Sequence, residues 1–218
     1  MWTAGERSSP PPLPRAGHGQ LMADAPGEGA VKIGPWLRRA RRTAYQNQWL
    51  TIYHDDVVRP DGADGVYGVV HLANLAVGIV AIDVRDRVAL VGQWRYTLDA
   101  QSWEIPEGGV PRAESPVDGA RRELREETGL SAAEWREIGV VHVSNSVTDE
   151  VAHLFLATDL SEGTAELEGT EDVTLRWEPF EEAVAMTLDG RITDALSILA
   201  LQRLALERAN TNGKRAIP

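Results

Sequence analysis

Residues 108–130, GGVPRAESPVDGARRELREETGL, constrain this chain more than any other stretch. Ser115-Pro116-Val117-Asp118 is a helix start: Ser115 suits the cap, Pro116 the first helical position, and Asp118 the place of a capping-box acid. Gly129 is a C-terminal stop. The spacing predicts one helix of about three turns. Val117, Ala120 and Leu124 recur at three- and four-residue spacing and face the core. Glu123, Glu126 and Glu127 fall together on another face, because i, i+3 and i+4 neighbours lie side by side.

Three carboxylates on one face repel each other, late in a helix where the macrodipole disfavours negative charge. Gln or Lys would avoid this at little cost. A hard, oxygen-preferring divalent cation offsets the repulsion, and Arg122 and Arg125 offset part of it. Taken alone, E-x-x-E-E reads as a solvated, salt-bridged surface. With Gly108, Glu114, Arg122 and Gly129 in register, it reads as a metal-binding helix.

The same segment resembles, position by position, the signature of the Nudix hydrolases, G-x5-E-x7-R-E-U-x-E-E-x-G-U, with U a bulky apolar residue. Nine positions over 23 residues match. The resemblance implies hydrolysis of a nucleoside diphosphate linked to another group, X, with Mg²⁺ or Mn²⁺ as cofactor. It also implies an α/β/α sandwich with a mixed sheet.

Composition narrows the partners. The formal charge is −11, from 33 acidic and 22 basic residues. A uniformly acidic chain is a poor partner for nucleic acid or an anionic membrane. It is also awkward for phosphorylated substrates unless cations bridge the two. There is no Cys, so disulfides and thiolate chemistry are excluded. No apolar run reaches the roughly 18 residues of a transmembrane span, and the N-terminus lacks an apolar signal region. A cytoplasmic location is the default. Residues 1–30, with Pro10-Pro11-Pro12 and Pro14, read as a disordered tail. Met22 opens a second, more ordinary start. Arg38, Arg39, Arg41 and Arg42 read as a solvated edge, with phosphate binding as the less favoured use.

The rest of the chain is β-rich up to its last helices. Trp49–His54 and Val66–Leu72 flank the turn cluster 59–65 as a hairpin or meander. Leu75–Val84 and Val88–Val91 are mostly apolar and suit a covered sheet. Ile138–Val143 and Ala152–Ala157 follow the helix, then Phe180–Met186 and a helix from about Thr193 to Arg208. A mixed sheet with packed helices, an α/β (α+β) architecture, is expected. Residues 31–74 resemble the small N-terminal antiparallel sheet of ADP-ribose and nucleoside-diphosphate-sugar pyrophosphatases. In those relatives the sheet serves homodimerisation and part of the substrate site, and residues 75–218 would form the hydrolase domain.

Two stretches carry this narrower resemblance. Gln93-Trp94-Arg95-Tyr96 resembles the Q-x-R-Y stretch of those enzymes. Trp103-Glu104-Ile105-Pro106-Glu107-Gly108-Gly109 resembles their E-U-P-A-G-G, with Glu107 in place of Ala. The resemblance implies that the backbone carbonyl at Glu107 ligates metal. Arg95, Trp94, Glu104, Gly108 and Glu114 are the candidates on the substrate side. A guanidinium suits a diphosphate; Trp94, Tyr96 and Trp103 can stack on a base or pack in a core or dimer contact.

Ser144-Asn145-Ser146-Val147-Thr148-Asp149-Glu150 resembles the S-P-G-x-S-D-E loop of ADP-ribose pyrophosphatases, whose last Glu is tied to catalysis. Asn145 stands where that branch has Pro, which favours a broader nucleoside-diphosphate-sugar reading over a strictly ADP-ribose one. Glu150 is the first choice for general base or distal metal ligand, and Glu126 the second. Glu123, Glu126, Glu127, Glu107 and Glu150 are the candidate metal ligands. Arg122 is expected to orient the glutamates, and Glu114 to steady the loop. No G-x-S-x-G elbow or P-loop is present. His142 and His153 lie on neighbouring predicted strands and can meet, though a satisfied strand His is commoner. The competing class, a catalytically silent nucleotide sensor, is disfavoured because every box acid is retained.

Overall fold

The computed structural model describes residues 29–163 and 173–215. The expected tail falls almost wholly outside them, as does Met22.

Among the described residues the chain forms three sheets and three helices. The first sheet is four antiparallel strands in chain order: β1 (Val31–Ile33), β2 (Trp36–Gln46), β3 (Leu50–Val58) and β4 (Asp64–Leu72). The arginine-rich stretch lies in β2, and its charge is answered across the sheet. Arg41 makes a two-pronged pair with Asp55 at 2.7 Å for both bonds, Arg39 meets Asp64 at 2.8 Å, and Arg42 meets Asp56 at 3.2 Å. The Arg39 and Arg42 pairs are exposed and worth about 0–1 kcal/mol each, whereas Asp55 is buried and depends on Arg41 to offset its desolvation.

The second sheet has the order β8-β5-β10-β9. It is built from β5 (Asn74–Ala81), β8 (Glu107–Pro111), β9 (Leu130–His142) and β10 (Val151–Glu162). The pairing of β5 with β10 is parallel and the other two are antiparallel, so the expected mixed sheet is present. The third sheet orders β11 (Thr174–Pro179), β6 (Arg87–Arg95) and β7 (Ala100–Glu104).

Strand periodicity divides the core in two. Side chains alternate across a pleated sheet, so Val77, Ile79 and Ala81 of β5 pack on one side with Ala120 and Leu124 of α1 (Pro116–Thr128). Val80 and Ile82 pack on the other side against α2 (Phe180–Asp189) and α3 (Ala195–Arg215), through Phe180, Met186, Leu196 and Leu201. Both sheet faces are thus covered by helices. Leu124 has no exposed surface, and truncating such a side chain to Ala typically costs about 2–5 kcal/mol.

α1 forms where the local signals put it. Ser115 Oγ accepts from the Asp118 amide, Pro116 is the first helical residue, and Gly129 turns left-handed at φ 71° while its N–H reaches the Arg125 carbonyl at 2.8 Å. That conformation is open to glycine at little steric cost.

Other expectations need correction. The strand anticipated at Ile138–Val143 begins earlier, at Leu130, directly after the helix cap. Its first half is Ser131, Glu134, Arg136 and Glu137 among apolar residues, and it lies at the sheet edge, where charged side chains are favoured and apolar alternation is weak. The last helix runs seven residues beyond Arg208, to Arg215. His142 and His153 do not pair: His142 lies opposite Val151, and His153 binds Glu137 at 2.7 Å.

Candidate active site

The register of the second sheet assembles the site. β5 runs between β8 and β10, with Gly108 opposite Val77, Gly109 opposite Ala76, and Ala76 opposite Ala152. Glu107–Gly109 and Glu150 therefore lie on either side of the start of β5. The cleft at this point is lined by Arg95, Glu107, Gly108, Gly109 and Glu150, and also by Trp49, Asn74 and Leu196.

α1 forms one wall. Its carboxylates are held in place individually. Glu127 is buried, and its Oε2 accepts from the Glu107 amide at 3.1 Å. Glu123 is buried against Gly108, where a Cβ would overlap its carboxylate. This close approach, rather than a turn, is what demands glycine at 108. Arg122 is the hub: its Nη1 lies 2.8 Å from both Glu123 and Glu126, and its Nη2 reaches the Gly109 carbonyl at 3.2 Å and Glu114 at 3.5 Å. A planar guanidinium with five donors can hold several oxygens at once.

The facing wall is different in kind. Arg95 Nε donates to Glu104 Oε1 at 2.9 Å, and its Nη2 contacts both Glu104 and Glu107. The guanidinium is therefore committed to two carboxylates, which hold Arg95 well above the usual arginine range, chiefly through the Glu104 hydrogen bond. Burial alone would push Glu104 up, but the Arg95 and Ser102 hydrogen bonds outweigh it and keep its carboxyl below the ordinary value. Glu107 goes the other way. Burial, then the charges of Asp194 and Glu104, push it well above the carboxylate range against the pull of Arg95. Its Oε2 is buried and takes no hydrogen bond among the described residues. Burial and the Asp194 charge also raise Glu150, and its carboxylate takes no side-chain partner there either.

Asp194 was not anticipated. It caps α3, accepting from Ser197 N at 2.7 Å, and its carboxylate, with those of Glu104 and Glu107, offers oxygens all within 4.8 Å of one another. Ser197 Oγ in turn accepts from Ile105 N at 2.9 Å, which docks the start of α3 on the segment carrying Glu104 and Glu107. In the sequence, an Asp before an apolar helical run signals a cap, and nothing local marks a second role. Trp49, 64% exposed beside the cleft, was likewise missed. Trp94 is not among the cleft residues: it alternates with Arg95 along β6 and is 60% exposed. Tyr96 is almost wholly exposed, and Trp103 packs beneath Arg176.

The residues present fit a divalent cation. The donors are hard oxygens, the match for Mg²⁺ or Mn²⁺. Glycine at 108 leaves a cradle in which the Glu123 carboxylate lies against bare backbone. Glu107 Oε2 is an orphaned, buried acceptor in a three-carboxylate cluster with one guanidinium to balance it. Ionising such a buried carboxyl is expensive, and a nearby cation lowers that penalty.

With this geometry in place, the chain can be set beside known proteins. Residues 72–199 match the NUDIX domain, and residues 36–70 match the nucleoside diphosphate sugar hydrolase N-terminal domain. An ADP-ribose pyrophosphatase of Bacillus subtilis is 31% identical over 172 residues, covering 78% of this chain and 92% of that protein. A CMP-5'-(N-acetyl-N-hydroxy-3-aminopropyl)phosphonate hydrolase of Streptomyces rubellomurinus is 32% identical over 174 residues, covering 78% of this chain and 83% of that one. The crystal structure of an ADP compounds hydrolase shares the fold with a TM-score of 0.72 at 19% identity, covering 89% of this chain and 100% of that one.

Proposed function

This chain belongs to the NUDIX domain family, and from that premise we propose that it cleaves the diphosphate of nucleoside diphosphate sugars, releasing a nucleoside monophosphate and a sugar phosphate. It is a pyrophosphohydrolase. The observation that carries the substrate reading is the joining of an N-terminal sheet of the sugar-hydrolase type to the box: Trp49 and Asn74 share one cleft with Arg95, Glu107, Gly108 and Glu150. A base or sugar entering beside the N-terminal sheet would lay its diphosphate against the glycine pair. ADP-ribose as the preferred substrate is the second reading, favoured by the Bacillus subtilis relative.

Glu123, Glu127 and the Glu107 carbonyl would hold Mg²⁺ or Mn²⁺, with Glu126 and Glu150 at its margin. When bound, the metal neutralises the diphosphate and lowers the pKa of water. The protein's own groups do the rest. Arg122 keeps Glu123 and Glu126 aimed, and Glu114 ties that guanidinium to the loop before the helix. Glu150 is the general base: partly buried, with no competing hydrogen bond on its carboxylate and a raised pKa, it can take a proton from the attacking water at neutral pH better than an ordinary exposed glutamate. Arg95 holds Glu104 and Glu107 through Nε and Nη2, which leaves the two N–H groups of Nη1 for a phosphate oxygen. The protein acts as a homodimer through its N-terminal sheet, in the cytoplasm; no helix of the described residues is long and apolar enough to cross a membrane.

The test is a phosphatase-coupled screen of purified protein with Mg²⁺ or Mn²⁺ against ADP-ribose, several nucleotide sugars, NADH and diadenosine polyphosphates. Turnover of several nucleotide sugars is expected. Strict preference for ADP-ribose would select the second reading, and silence throughout would overturn both. Light scattering at working concentration checks the dimer.

A further inference from the structure

Glu150 has no side-chain partner among the described residues, so its carboxylate is placed by its backbone alone. That backbone belongs to the loop at 143–150, which is largely exposed. Within the loop, Thr148 N and Val147 N donate to the Ser144 carbonyl at 2.8 and 3.0 Å, a single turn. Glu150 itself is held by two long bonds, both 3.4 Å: its N–H reaches Thr148 Oγ1, and its carbonyl accepts from Val143 N. The shorter restraints on the loop come from β4, more than 70 residues earlier in the chain.

Topology explains the meeting. β4 ends at Leu72, β5 starts at Asn74, and β10 starts at Val151 parallel to β5. The residues leading into β10 are thus brought level with the end of β4. Val70 N donates to the Val147 carbonyl at 2.8 Å, and Asp149 N to the Val70 carbonyl at 3.2 Å. Tyr67 Oη donates to the Ser146 carbonyl at 2.7 Å. Asp149 closes the clasp with both oxygens: Oδ1 accepts from Leu72 N at 3.0 Å, and Oδ2 lies 2.5 Å from His71 Nδ1. The two side chains are part-exposed, 38% for His71 and 44% for Asp149, so neither fills a core. Asp149 faces the end of β4 while its neighbour Glu150 lines the cleft.

We propose that Asp149, clasped by His71 and the Leu72 amide, is a positioning residue for the reaction, setting the Glu150 carboxylate against the cleft. This rests on the reading of Glu150 as the base. It gives the N-terminal sheet a catalytic consequence within one chain: β4 is the surface on which the loop carrying the base is laid. A loop with a single internal turn and no clasp samples many positions for its end, and a misplacement of about 1 Å can cost 10²-fold in rate.

The experiment is a double-mutant cycle on the full chain, with kcat, KM and melting temperature measured for each variant at saturating Mg²⁺. Asp149→Ala should lower kcat by about 10-fold or more with KM nearly unchanged, the signature of a group felt in the transition state. Asp149→Asn keeps an acceptor for Leu72 N and should recover most of the loss. His71→Ala, which spares the Leu72 bond, should lower kcat less than Asp149→Ala. In a Glu150→Gln background, Asp149→Ala should have no further effect, because coupled residues are non-additive. The melting temperatures should stay close to that of the parent.

Two results overturn the proposal while sparing the base assignment, provided Glu150→Gln alone is slow. One is unchanged kcat in Asp149→Ala. The other is an equal loss in both backgrounds, which would mean Asp149 acts independently of Glu150. A Glu150→Gln variant with near-normal turnover overturns the base assignment and this proposal together.

Discussion

The two walls of the cleft hold acids in opposite ways. On α1, each box glutamate has a partner: Glu123 and Glu126 share Arg122, and Glu127 takes the Glu107 amide. On the opposite wall, Glu104, Glu107 and Asp194 crowd within 4.8 Å around one guanidinium, and Glu150 adds a fourth acid, raised by burial and then by the Asp194 charge. The first wall is built before anything binds, because its hydrogen bonds fix each carboxylate. The second crowds acids in a partly buried place, where a proton on Glu107, the Arg95 guanidinium or a bound cation can each offset the repulsion. On the proposed reading, substitutions on the α1 wall should act on rate, whereas those on the facing wall should make stability depend on pH.

The largest effect expected from this contrast is on α1. Glu127→Gln keeps a carbonyl acceptor for the Glu107 amide, so the fold should survive, while the lost charge removes a metal-binding oxygen. Turnover should fall by about 10³-fold or more, in the range that removing one group of an electrostatic catalytic set produces, with a melting temperature near the parent's. Mn²⁺ binding followed by electron paramagnetic resonance should weaken in step. An active Glu127→Gln variant would erase the distinction between the walls.

Next in size is Glu150→Gln. General bases contribute about 10²–10⁴-fold, and kcat should drop within that range. The raised pKa of Glu150 fixes the sign of the pH dependence: the base works when ionised, so kcat should fall as pH drops through its pKa. That acid limb should lie above the ordinary glutamate value and vanish in the variant. A limb that persists unchanged would assign the base to α1, with Glu126 the first candidate.

Legibility followed the same divide. α1 was readable to the residue because its cap, its first Pro, its C-terminal Gly and its carboxylate face are all local signals. The covered strands β5 and β6 were readable because burial on both faces leaves continuous apolar runs. The facing wall was only partly readable. Glu104, Glu107 and Arg95 were marked by a resemblance, but Asp194 carries no local signal beyond that of a cap and reaches the others only through the tertiary docking of α3. The clasp of His71 on Asp149 joins residues 78 apart in sequence, with no local pattern at either end. Trp94 was marked because it sits beside Arg95 in the chain, and Trp49 read only as the start of a strand. The pleat separates Trp94 from Arg95, while the N-terminal sheet brings Trp49 to the cleft.

The facing wall has its own test. Glu107→Gln removes the buried charge but keeps the volume. Because the folded-state pKa of Glu107 is raised, its contribution to stability is present below the unfolded carboxylate pKa and is lost as pH rises through the folded value. The metal-free parent should therefore lose melting temperature relative to Glu107→Gln as pH climbs from about 4. Saturating Mg²⁺ should narrow the gap at neutral pH. A constant gap across the range would mean that Arg95 already neutralises the wall and that no cation is needed there.

The smallest effect distinguishes the two tryptophans at the edge of the comparison. Trp49 borders the cleft and is 64% exposed, so a base that stacks on it would bury indole surface without disturbing the core. Stacking on an aromatic side chain is worth about 1–3 kcal/mol per base. Trp49→Ala should accordingly raise KM for the best nucleotide substrate by about 5- to 140-fold, since every 1.4 kcal/mol is tenfold in affinity. If stacking is equally strong in ground and transition states, kcat should hold. Trp94→Ala should leave both constants within about twofold, in line with a surface substitution worth under about 0.5 kcal/mol. The reverse result, a KM effect at Trp94 and none at Trp49, would place the base on the β6 side. The substrate would then lie along the third sheet, and the N-terminal sheet would contribute through the Glu150 loop alone.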